Sequence, residues 1–188
     1  MIDVYFCTID YARTDTKFAA LRHAYAEACR CRWEMEPQVR LHVLYGENDS
    51  FQWERRVKAD SLSRSEIYGC VDDDVLIVDR VLPLQHIMGA FEDHPDFAIL
   101  SAIPMNCNIV PWTPEGYKAQ IDSTVMEHVS VGGMRFCRKG TMKDLPKTTS
   151  KSYDGQQSEW LREKRMRVGY LRQVPMFHAG EYFSTVWG

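Results

Sequence analysis

The sequence predicts an α/β protein with a mainly parallel central sheet flanked by helices. Two observations carry this. Apolar, strand-like segments alternate with segments of helical period from one end of the chain to the other. The chain has 188 residues, 45% hydrophobic and 26% charged, which suits one domain, residues 1–188, with a sizeable core.

The elements follow in order. Ile2–Ile9 reads as a buried strand. A helix is expected from about Thr14, with Phe18, Leu21, Tyr25 and Ala28 as its apolar stripe. Gln38–Tyr45 alternates as a second strand. Gly46–Ser50 is a turn, and Asp49 with Gln52 can cap a second helix that runs to about Tyr68. After an acidic segment, Pro83 opens a third helix whose Leu84, Ile87, Met88 and Phe91 share one face, and His94-Pro95 ends it. Phe97–Ile103 is a further strand. Residues 104–123 form a long loop, of the kind that usually carries function. Val125–Cys137 is expected as strand around Gly132-Gly133. A helix from about Gly155 to Val168 should end at Gly169, and Tyr170–Phe177 is the last strand.

The acidic segment is Asp72-Asp73-Asp74, within Tyr68–Val78. An apolar strand ending in carboxylates must compensate them, because a buried carboxylate costs several kcal/mol unless paired or bound to a metal. Carboxylate oxygens suit Mg2+ or Mn2+, ions that commonly hold a nucleotide diphosphate. If the segment is extended, Asp72 and Asp74 face one ion. Ligands of such sheets bind at the carboxyl ends of strands, and the Asp triplet and the turns after Ile9 and Tyr45 fall at such ends.

Composition narrows the setting. No run of 18 apolar residues is present, so no transmembrane helix is expected. The start lacks a basic leader region and reads as a strand. Cys29-x-Cys31 is too tight for a zinc knuckle. Cys7, Cys70 and Cys137 read as reduced core residues, which suggests a cytoplasmic protein. The net charge is -3. After Gly133, however, the chain carries 11 basic and 5 acidic residues, a balance that could hold phosphates.

The order of these pieces resembles the GT-A glycosyltransferases: a strand with Arg13 behind it, a strand ending in an acidic turn, a helix with Lys58, then Asp-Asp-Asp between apolar flanks. Val129–Arg138 looks like the family's acceptor-side segment, Tyr153–Gln157 like the segment with the catalytic base, and His178 stands where many members place a third metal ligand. The resemblance implies a nucleotide-sugar-binding half at 1–79 and an acceptor half at 80–188. It implies that Asp72, Asp74 and His178 bind Mn2+ or Mg2+. Thr8, Ile9, Arg13, Asp49, Lys58, Asp72 and Asp73 would contact a nucleotide-diphosphate sugar, with UDP favoured if an acidic residue meets the base. Asp154 would be the base, although it also stands where a helix cap is expected. Trp112, Gly132 and Gly133 would meet the acceptor. The acceptor itself stays open: a glycan, a lipid-linked hydroxyl, a protein or a hydroxymethylated pyrimidine in DNA, the last favoured by the basic C-terminal third. If Asp154 deprotonates the acceptor, transfer is direct with inversion; otherwise a retaining route is open. Two rivals use related architecture. A sugar nucleotidyltransferase would need a Gly-rich loop after the first strand, and Ile9–Thr14 has no glycine. A non-catalytic sugar-nucleotide-binding module would bind without turnover.

Overall fold

The computed structural model describes residues 1–9, 19–46, 52–79, 81–105, 109, 111, 113, 118–147 and 153–179. The expected residues Arg13, Asp49 and Trp112 lie outside them. The strands are β1 (Ile2–Ile9), β2 (Val39–Gly46), β3 (Ile67–Asp72), β4 (Val75–Ile77), β5 (Phe97–Pro104), β6 (Val125–Glu127), β7 (Met134–Arg138) and β8 (Arg167–His178). The helices are α1 (Ala19–Glu34), α2 (Gln52–Leu62), α3 (Leu84–Asp93) and α4 (Tyr153–Glu163).

The strands form one sheet in the order β2-β1-β3-β7-β5-β8-β4, with β6 also on β8. β1, β2, β3, β5 and β8, the five longest, run in one direction, as expected. The short strands β4, β6 and β7 run against them. No helix lies between β5 and β7 among the described residues, and a strand that returns without a crossover helix pairs antiparallel. β7 therefore enters the sheet centre reversed, between β3 and β5, and brings its N-terminal end to the edge where β1 and β3 end.

Two apolar cores cover the two sheet faces. Val4, Phe6, Trp33 and Phe91 lie in one; Tyr5, Tyr68, Leu161 and Val168 lie in the other. β1 is buried along its whole length and β3 along all but its last residue, so strands reading as continuous apolar runs are covered on both sides. Cys7, Cys70 and Cys137 are buried free thiols, as expected.

Four expectations need correction. The buried face of α1 is Ala26, Cys29 and Trp33, whereas Leu21 is 45% exposed. The helix is rich in alanine, so several stripes read alike, and the large Trp33 decides which one turns inward. α2 stops at Leu62, and Ile67 and Tyr68 already belong to β3. Val125–Cys137 is two strands, β6 and β7.

The fourth correction concerns Gly169, which does not cap α4. The helix ends at Glu163, followed by Arg165 with φ 61°, and Gly169 lies inside β8. There a Cβ would stand 2.8 Å from the Met126 carbonyl oxygen and 2.8 Å from the Phe97 ring. The glycine serves close approach of β6 to β8. Gly169→Ala is accordingly expected to lower stability by about 1–3 kcal/mol, the usual range for overpacking. Denaturant unfolding reads this, and an unchanged midpoint would show that β6 can yield.

Candidate active site

The carboxyl ends of β1, β2 and β3 are aligned, with Cys7 opposite Asp72 and Ile9 opposite Gly46. β8 reaches the same edge, where His178 pairs with Val75. The reversed β7 places Gly132-Gly133 there as well. One sheet edge thus gathers Thr8, Ile9, the Asp triplet, Gly132, Gly133 and His178.

The triplet is not extended. Asp72 ends β3, Asp73 and Asp74 make a two-residue turn, and Val75 starts β4. The three carboxylates therefore diverge, each to its own partner. Asp72 meets the Arg135 guanidinium at 3.2 Å. Asp73 accepts a 2.6 Å hydrogen bond from the Thr8 hydroxyl. Asp74 stands 3.3 Å from His178 Nε2. Its Oδ1 is buried, and the contact is an ion pair when the imidazole is protonated. Burial would lower the imidazole pKa of His178, but Asp74, with Asp72 behind it, outweighs burial and raises it.

The backbone fixes the turn. The Asp72 amide donates to the Gly133 carbonyl (3.2 Å) and the Ala179 amide to the Asp74 carbonyl (2.8 Å). Gly133 takes φ +73°, and a Cβ there would lie 2.9 Å from Met176 Cε. Position 133 thus requires glycine both for its conformation and for room. A Cβ at Gly132 would stand 3.0 Å from Asp154 Oδ2. The glycine pair lets the segment ahead of β7 lie against that carboxylate.

Asp154 sits in the first turn of α4, not at its cap. Its Oδ1 takes two guanidiniums, Arg135 at 2.9 Å and Arg56 at 2.8 Å. Its Oδ2 is on the Gly132 side. Burial would raise the Asp154 pKa, but the charges of Arg135 and Arg56 and their hydrogen bonds outweigh it, and the pKa is lowered. The group is a carboxylate throughout the neutral range. Arg56 also donates to Gln157 of α4, so two helices and the central strand are tied at this carboxylate.

Three arginines at the site escaped the sequence reading. Arg56 and Arg135 are 3% and 1% exposed and hold the carboxylates just described. Arg55 is 6% exposed, and its Nε and Nη1 meet no acceptor among the described residues. It lies over Gly46, where a Cβ would fall 1.7 Å from Nη1. A signal was present: Arg135 lies in the apolar run Met134–Cys137, and a charge inside a central strand demands a partner as surely as the aspartates do. Lys58, expected at the nucleotide, is exposed on α2.

A divalent ion fits this edge in a specific sense. Among the described residues, no three of His, Cys, Asp and Glu converge as a ready-made cage. Asp74 and His178 could supply two ligands, one of them a buried carboxylate oxygen. Mg2+-like ions usually take one or two carboxylates, with substrate phosphates completing the shell. Asp72 could join only by leaving Arg135.

Several of the basic residues after Gly133 are engaged within the fold. Arg138 donates to the Phe91 and Phe97 carbonyls, Arg162 to Val129, and Arg172 to Asp122. Arg167 pairs with Asp96 and Glu127. Lys139, Lys143 and Lys147 are exposed.

No family model and no curated protein matches the chain. Solved structures do. S. aureus TarS (residues 1–349) superposes with a TM-score of 0.55 at 12% identity, over 97% of this chain and 63% of that one. GalNAc-T7 with UDP, GalNAc and Mn2+ gives 0.57 at 7% identity, over 94% and 43%. UTP-bound UGPase from Acinetobacter baumannii gives 0.54 at 9% identity, over 96% and 89%. The chain therefore has the fold these structures share, a GT-A-like α/β fold. It spans well under two thirds of the GalNAc-T7 chain. Among the described residues, no helix is long and apolar enough to cross a membrane.

Proposed function

We propose that the protein is a metal-dependent glycosyltransferase that moves a sugar from a nucleotide-diphosphate sugar, UDP-linked in the first instance, to a hydroxyl acceptor. The observation that carries this reading is the Asp72–Asp74 turn, whose carboxylates are separately placed by Arg135, Thr8 and His178 at the edge where β1, β3 and β8 end. The GalNAc-T7 structure, with UDP and Mn2+ on the same fold, supports it.

Asp74 and His178 would hold Mn2+ or Mg2+, with Asp72 joining if it leaves Arg135. Such an ion offsets charge on the departing diphosphate. Thr8 fixes Asp73 toward the nucleotide, with the end of β1 at Ile9 beside it. Arg55, whose buried Nε and Nη1 meet no acceptor among the described residues, would supply a cation to the donor; buried donors without acceptors are costly, and donor oxygens would relieve them. Asp154 Oδ2 faces Gly132-Gly133, where an acceptor hydroxyl would lie, and would take its proton as the hydroxyl oxygen attacks the anomeric carbon. That is direct displacement with inversion.

The nucleotidyltransferase reading keeps one support, the UTP-bound UGPase neighbour. A panel of nucleotide sugars separates the two. The proposal expects metal-dependent release of nucleoside diphosphate from one sugar nucleotide. Pyrophosphate release from UTP and a sugar phosphate, without the first reaction, would replace it. A hydroxymethylated DNA base is a candidate acceptor through exposed basic residues such as Lys139, Lys143, Lys147 and Arg165. Salt-sensitive binding to duplex DNA would be its mark.

A further inference from the structure

Arg135 stands between the two halves of the proposed reaction and touches both. It is 1% exposed. Nη1 donates to Asp72 Oδ1 at 3.3 Å and Oδ2 at 3.2 Å, and Nη2 donates to Asp72 Oδ2 at 3.2 Å. Nη2 also donates to Asp154 Oδ1 at 2.9 Å. The Gly133 carbonyl at 3.2 Å and the Val131 carbonyl at 3.4 Å hold the rest of the group. One buried guanidinium is thus shared by the carboxylate at the donor turn and the carboxylate at the acceptor side.

The sharing cannot be independent. A guanidinium has a fixed fork of donors, and in a buried network the strength of one contact depends on the other. We infer that Arg135 is a positioning residue that couples donor binding to Asp154, because Asp72 and Asp154 compete for it. When a cation and diphosphate draw Asp72 away, Arg135 falls wholly to Asp154 and holds its Oδ1, leaving Oδ2 toward the Gly132-Gly133 segment. The donor site therefore completes the acceptor site, and donor before acceptor is the favoured order. This rests on the proposed donor reading.

The coupling makes a prediction of sign. Asp154 stands on the acceptor side, away from the Asp74–His178 pair. Yet removing its charge leaves Arg135 with Asp72 as its main carboxylate, so Asp72 becomes harder to draw away. Titration of UDP in Mn2+ into Asp154→Asn is expected to show affinity about tenfold weaker than wild type, within the range for residues in one ion-pair network. In an Arg135→Gln background the same Asp154→Asn change should leave affinity within about twofold. Should Arg135→Gln not fold, Arg135→Lys serves: it keeps the charge without the fork, and the Asp154→Asn effect should shrink.

Three results overturn the inference. Asp154→Asn may bind UDP as wild type does. The loss may persist undiminished with Gln or Lys at 135, which would mean that Asp154 acts on the donor by another route. Or Asp154→Asn may bind more tightly. Absence of Mn2+-dependent UDP binding to the wild type is a separate failure, that of the donor reading itself.

Discussion

Asp74→Ala lowers UDP affinity in Mn2+ by about 10²-fold or more, down to the value wild type shows in EDTA. Loss of a residue that only supports a ligand typically costs 10–100-fold, and Asp74 is assigned as a ligand itself. The size follows from the poverty of the site. Among the described residues of the turn and β8, Asp74 and His178 stand ready for an ion, because Asp72 is held by Arg135 and Asp73 by Thr8. With two ready ligands, loss of one leaves a lone imidazole. Asp73→Ala should do less, since its carboxylate is turned to Thr8. Calorimetry on the two variants gives the comparison, and equal losses would mean that the turn as a whole, not Asp74, makes the site.

Asp154→Asn lowers turnover by about 10²-fold or more, the lower end of what a general base contributes, while donor affinity falls only about tenfold through Arg135. The asparagine keeps the shape of α4 and a carbonyl oxygen for the guanidiniums, so the fold should survive. The pH profile adds a second reading. The two arginines hold the Asp154 pKa below the ordinary 3.8. The group is thus ionised at every pH above that value, and the acidic limb of kcat/KM due to it must lie below 3.8. The same depression contributes stability that is present above pH 3.8 and lost as pH falls through the lower folded value. A limb near neutrality that vanishes in Asp154→Asn would contradict this. Unchanged turnover in a folded variant would reduce Asp154 to an anchor for Arg56 and Arg135.

Much of the fold was legible because strong local signals agreed with it. β1, β5 and α3 lie where apolar runs, Pro83 and His94-Pro95 put them. What was not legible was set by distant contacts. α1 turns Trp33 inward because the sheet offers room there, which an alanine-rich stripe does not announce. Gly169 reads as a helix stop in one dimension, yet its reason is Met126 and Phe97 across the strand. At the site, the triplet stood out because three carboxylates in an apolar run need an explanation. Its geometry did not, since an extended segment and a turn share the same residues. The same rule applied to Arg135 leads to the buried pair with Asp72 and Asp154. Arg55 and Arg56 are harder, because a charged pair on a helix usually faces water and only the fold turns these inward.

The most direct measurement is the affinity for UDP with Mn2+ and with EDTA, by isothermal titration on the wild-type protein. Weak binding in EDTA and binding about 10²-fold or more tighter in Mn2+ are expected, because the phosphates and the Asp74–His178 pair would complete one coordination shell. Equal affinity under the two conditions would contradict it and would remove the metal from the Asp72–Asp74 turn.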